Sequence, residues 1–145
     1  GQGTLTIHAP AAQGISGDLR SLGETKLSDV TIQSDLELGH IILVSLDGKP
    51  IRSSSRLLLQ IMSEEQNSGW KAEPADAGKL SITSIGRDPW TIKPLTGMVR
   101  LHREDAARLS VTALNENGAP ITRVGTAHQI QLRPEMLYYL ISPTE

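Results

Sequence analysis

At 145 residues the chain suits one domain, large enough to bury roughly 68–70% of its unfolded surface without a disulfide, and it holds no cysteine. A formal net charge of -2 with both signs interspersed leaves no basic face for nucleic acid or an anionic membrane. No run approaches the roughly 18 apolar residues of a membrane span, and with two Trp, two Tyr and no Phe the core must rest on Leu, Ile and Val.

Thr4-Leu5-Thr6-Ile7-His8 alternates polar and apolar residues as a half-buried strand does, and Pro10 ends it. Three glycines around Ile15 and Leu19 predict a short strand between turns, and Val30 and Ile32 share one face of the next strand. Gly39 to Leu46 and Arg56 to Met62 are two long apolar runs flanking Asp47-Gly48, a strong hairpin signal. Ser53-Ser54-Ser55 ahead of the second run also fits a helix cap. The preceding turn and the length of the partner run favour a strand, with Leu57, Leu59 and Ile61 on one face and Leu58, Gln60 and Met62 on the other.

Polar residues from Lys71 to Lys79, with Pro74 and Gly78, predict a loop, and Leu80 to Ile85 a strand. Gly86-Arg87-Asp88-Pro89 predicts a turn, followed by strands at Trp90-Thr91-Ile92 and Met98 to Leu101. His102 to Ala107 suits one helical turn. Leu109 to Leu114 alternates again, Asn115 to Gly118 offers a second hairpin turn, and strands follow at Ile121 to Val124, Ile130 to Leu132 and Tyr138 to Ile141. Short strands with regular turn signals and no long amphipathic helix predict an all-β fold: a jelly-roll-like β-sandwich of about nine or ten mostly antiparallel strands.

Catalytic signatures are missing. His8, His40, His102 and His128 form no local metal-ligand pair, and no nucleophile elbow, phosphate-binding glycine loop or calcium loop is present. Nothing selects a carboxylate pair for glycoside hydrolysis among the 16 acidic residues. No cofactor or metal is expected, and no motif supports a structural calcium. An exposed indole can stack on the apolar C–H face of a sugar while polar neighbours bond its hydroxyls. Trp70, with Asn67 and Lys71 beside it, is therefore the candidate carbohydrate platform, set against the reading that it covers a core edge. Trp90, between Pro89 and an alternating strand, is expected in the core.

Several stretches together resemble a C-terminal β-sandwich module of large secreted bacterial glycoside hydrolases and related polysaccharide-degrading proteins. They are Ser45 to Ile51, Ser54 with Arg56-Leu57-Leu58-Leu59, and Asn67-Ser68-Gly69-Trp70. Gly3 to Ile7 with Pro10, Gly86-x-x-Pro89, Pro94-x-x-Gly97-x-Val99-x-Leu101, Leu114 to Gly118 and Tyr138 to Ile141 extend the likeness over nearly the whole chain. Ile85 stands where an aromatic is usual, and His8-Ala9 where Asp-Thr is more typical.

The resemblance implies a non-catalytic accessory module, residues 1–145 forming a single sandwich excised from the C-terminal end of a larger exported enzyme. Its partners would be polysaccharide or a neighbouring catalytic domain, and its location extracellular or periplasmic. A domain-packing role predicts an exposed apolar patch. A binding role predicts a shallow groove with an exposed indole. The alternative is a protein–protein interaction sandwich of a surface or adhesion assembly, which would use a free sheet edge.

Overall fold

The computed structural model describes residues 3–144. It is all-β and sandwich-like, and the chain divides into two compact units, Gly1–Ser63 with Pro94–Glu145, and Glu64–Lys93.

The larger unit contains eleven strands among the described residues: β1 (Leu5–Ala9), β2 (Ala12–Gly17), β3 (Glu24–Lys26), β4 (Val30–Gln33), β5 (Gly39–Ser45), β6 (Leu57–Ser63), β9 (Met98–Leu101), β10 (Leu109–Leu114), β11 (Pro120–Thr126), β12 (Ile130–Gln131) and β13 (Tyr138–Pro143). The smaller unit supplies β7 (Glu65–Pro74) and β8 (Leu80–Ile92). The count exceeds the nine or ten expected. Glu24–Lys26 pairs at a sheet edge where no strand is expected, and Glu65–Pro74 runs on into residues that read as a loop. A four-residue helix, α1 (Leu19–Leu22), is capped by Asp18, whose carboxylate accepts from the Ser21 N–H at 3.1 Å. Among the described residues no helix is long and apolar enough to cross a membrane.

Seven strands form one antiparallel sheet in the order β1-β2-β5-β6-β13-β10-β11, and four form a second in the order β12-β9-β4-β3. The predicted hairpin is at its centre: β5 pairs with β6 from Gly39↔Ser63 to Ser45↔Leu57, so the second apolar run is a strand, not a helix. Period-two alternation puts Leu57, Leu59 and Ile61 inside, each at most 1% exposed. Cross-strand rows then run straight through the core. Gln13, Leu43, Leu59, Tyr139 and Ala113 are consecutive partners over five strands, and all are buried. The four-stranded sheet answers with buried Val30, Ile32, Val99, Leu101 and Ile130. Tyr139 brings a polar atom into this layer and satisfies it, its hydroxyl accepting the Arg133 N–H at 2.8 Å. Burial raises the pKa of that phenol above its ordinary 10.0. Close packing also explains Gly14, where a Cβ would lie 2.6 Å from the Ile41 carbonyl oxygen of the neighbouring strand.

The Asp-Gly signal is not a two-residue turn. Residues 46–56 form a longer connection, with Gly48 at φ 73° and Ile51 fully buried beneath it. The serines after it bond Asp47 instead of capping a helix. Its carboxylate accepts from Ser54 Oγ at 2.7 Å, Ser55 N at 2.9 Å and Ser45 Oγ at 2.8 Å. These bonds, led by Ser54, hold Asp47 well below the ordinary carboxylate range. From the other side Arg103 Nη1 donates to the carbonyls of Ile51 and Ser54, at 2.9 and 2.7 Å. The predicted helical turn after His102 is a 3-10 turn at Ala106–Arg108, and the Asn115–Gly118 turn forms as expected, Asn115 Oδ1 accepting from the N–H groups of Asn117 and Ala119.

Candidate functional site

Residues 64–93 form a two-stranded ribbon. Its base closes where the Lys93 N–H donates to the Glu64 carbonyl at 3.1 Å, and the same two side chains form an ion pair. β7 and β8 pair from Glu65↔Ile92 to Pro74↔Leu80, with irregularities after Asn67 and after Lys71. The polar stretch read as a loop therefore continues a strand as far as Pro74, and only Asp76–Gly78 turns. No residue of the ribbon is buried, so Lys71 and Glu73 can stay polar on one face and the stretch reads as a loop. The Gly86–Pro89 stretch is likewise inside β8, with a cis Asp88–Pro89 bond. Gly86 sits at φ 69°, and a Cβ there would meet the Ser68 carbonyl oxygen at 2.6 Å. Glycine serves here as a strand irregularity, not as a turn.

Cross-strand partners share a face, so the outer half of the ribbon has one apolar side and one polar side. Trp70 opposes Ile85, Ala72 opposes Ile82 and Pro74 opposes Leu80, while Lys71–Ser84 and Glu73–Ser81 lie behind. Ile85, Ile82 and Leu80 are 74%, 58% and 65% exposed.

The three residues singled out from sequence divide between these surfaces. Trp70 is half-buried on the apolar side, and Lys71, its neighbour along the strand, points to the other face. Asn67 is not opposite Trp70 but opposite Trp90. Trp90 is 61% exposed, which corrects its expected core position: the strand that carries it belongs to the ribbon, where no second layer covers it. Asn67 Nδ2 donates to the Ile85 carbonyl at 3.1 Å, and its buried Oδ1 has no partner among the described residues. The exposed indole can stack on an apolar ring face, while the Asn67 amide, with Nδ2 bonded and Oδ1 buried, supports the strand beneath it.

A second surface lies on the larger unit, on the outer side of the seven-stranded sheet. One row of cross-strand partners reads Ala9, Ala12, Val44, Leu58, Leu140 and Thr112, and the next reads Ile7, Gly14, Ile42, Gln60, Tyr138 and Leu114. Ile7, Ile42, Val44, Leu58, Tyr138 and Leu140 are all half-buried, and Leu46 and Met62 are 48% and 40% exposed. Leu46, Arg56, Leu58, Leu114, Tyr138 and Leu140 line a shallow groove of about 390 Å³ there. A solvated antiparallel face ordinarily carries polar residues. This one does not. Its signal is in the sequence, because Ile41-Ile42-Leu43-Val44 and Leu57-Leu58-Leu59 are apolar at both parities, as in a strand covered on both sides.

No group of three or more metal-ligating side chains occurs among the described residues. The carboxyls with depressed pKa values are explained by structural bonds: Asp105 by its Arg103 pair, Asp47 by its serines and Asp18 by Ser21. No protein-family model, curated protein or solved structure matches the chain.

Proposed function

We propose that the chain is a non-catalytic β-sandwich accessory module of a carbohydrate-active enzyme, and that its main work is to pack against a neighbouring domain through the outer face of the seven-stranded sheet. The observation that carries this reading is the apolar run of that face across β5, β6 and β13, with a groove between Leu58, Tyr138 and Leu140. A contiguous apolar surface rimmed by Arg56 and Glu116 is the kind that a protein interface buries. The test places Leu58→Lys and Leu140→Lys together in the intact parent protein and follows limited proteolysis between its domains. Faster cleavage at the junction, with the sandwich itself still folded, supports packing. Unchanged cleavage contradicts it.

A second reading, sugar binding, is favoured by one observation, the exposed indole of Trp90 opposite Asn67. Affinity electrophoresis against soluble polysaccharides tests it. Retardation that Trp90→Ala abolishes supports the reading, and no retardation on any polymer counts against it. Trp70→Ala in parallel reports whether the apolar side of the ribbon takes part.

A further inference from the structure

We propose that the larger unit binds a small hydroxylated carboxylate, such as the uronate unit of an acidic polysaccharide, in a pocket at one mouth of the sandwich. The pocket, of about 250 Å³, is lined by His8 of β1, Gln13 of β2, Ser28 and Asp29 of the turn before β4, and Pro50 and Arg52 of the 46–56 connection. Its volume falls below the roughly 300–1,000 Å³ usual for drug-sized ligands, so a single ring is the occupant it suits.

The floor of the pocket is a buried side chain, while His8, Ser28 and Arg52 around it are exposed. Gln13 is 1% exposed and clamps Asp29 twice: Nε2 donates to Asp29 Oδ2 at 2.6 Å, and Oε1 accepts the Asp29 N–H at 2.9 Å. His8 Nε2 and Ser28 Oγ share a hydrogen bond of 2.5 Å, fixing the adjacent wall. One carboxylate oxygen is thereby held in place while the other, Oδ1, accepts no hydrogen bond among the described residues. Arg52 lines the same space, is exposed, and makes no hydrogen bond or ion pair with any described residue. An oriented acceptor and an unspent guanidinium thus border one small cavity without neutralising each other. A ligand that satisfies both carries an anion for the guanidinium fork and a donor group for the carboxylate. Pro50 and the His8 ring add apolar surface to the lining.

Apart from Ala9 at its rim, this site shares no residue with the outer sheet face, and it shares none with the groove there or with the ribbon, so it stands or fails separately from the proposed packing role. The experiment is a 1H–15N titration of the whole chain with glucuronate, galacturonate, glucose and glycine in separate arms. Saturable shifts centred on Ser28, Asp29 and Arg52 with a uronate, and at least about tenfold weaker binding of glucose, are expected. Arg52→Ala, at an exposed position, should weaken uronate binding by about tenfold or more with the remaining spectrum unchanged. Asp29→Asn, which keeps the shape of the side chain, should weaken it as well. Shifts with glycine but not with either uronate would show an amino-acid site and overturn the assignment. So would the absence of saturation, or uronate shifts that survive Arg52→Ala.

Discussion

Arg103 grips Asp105 with two parallel hydrogen bonds, Nε to Oδ1 at 2.6 Å and Nη2 to Oδ2 at 2.8 Å. The pair aims Nη1 at the carbonyls of Ile51 and Ser54, so a guanidinium only 11% exposed ties the 46–56 connection to the chain that follows β9. Both surfaces of interest on the larger unit depend on that connection, Pro50 and Arg52 at the mouth pocket and Leu46 and Arg56 at the outer groove.

Arg103→Lys keeps the charge and loses the fork. A lysine cannot bond both carboxylate oxygens and both carbonyls in this geometry. The substitution should cost about 1–3 kcal/mol, the usual range when buried acceptors lose a partner. Urea denaturation with an unchanged m-value checks this; a midpoint equal to that of the parent chain would show that the fork is dispensable.

Asp47 makes the same connection sensitive to acid. Its folded pKa lies below the ordinary 3.8 because Ser54, then Ser55, bonds the ionised form. A depressed carboxylate contributes stability that is fully present above the unfolded value and is lost as pH falls through the folded one. Asp105, depressed by Arg103, acts in the same direction. Asp47→Asn should therefore lower Tm at pH 7 and flatten the fall of Tm below about pH 4. Thermal melts from pH 2 to pH 7 read both effects. Parallel curves for the two proteins would assign the acid sensitivity elsewhere.

The ribbon should be dispensable for folding. No residue from Glu64 to Lys93 is buried, and its ends are joined by a backbone hydrogen bond, so a two-residue Asn-Gly link between Ser63 and Pro94 can replace it. The shortened chain should keep a cooperative melt, with its stability changed by less than about 1 kcal/mol. Loss of cooperativity would show that the larger unit needs the ribbon.

These features were unequally legible in the sequence. The β5–β6 pair could be read because Leu57, Leu59 and Ile61 repeat every second residue beside a matching run. Asp47-Gly48 marked a reversal, but not its length, since Ile51 and Arg103 fix the connection through contacts distant in sequence. Lys71 to Lys79 hides the last four residues of β7 because exposed strands and loops share a polar composition. Trp90 reads as a core residue because an aromatic next to alternating residues usually meets a second layer, yet in the ribbon it is 61% exposed. Of the candidate sugar platform, the turn-proximal Trp70 was read without its partner strand. Only the register shows that Asn67 faces Trp90.

The outer sheet face is where the account is most exposed to test. Hydroxyl-radical footprinting can compare the chain alone with the larger enzyme of which it is proposed to be a module, the proposed parent, reading modification of Leu46, Leu58, Met62, Tyr138 and Leu140 against exposed Leu80 and Ile82 of the ribbon. Packing against a neighbouring domain predicts severalfold protection of the five sheet residues in the parent, with the two ribbon residues serving as the reference. Equal modification of the sheet residues in both proteins would contradict it.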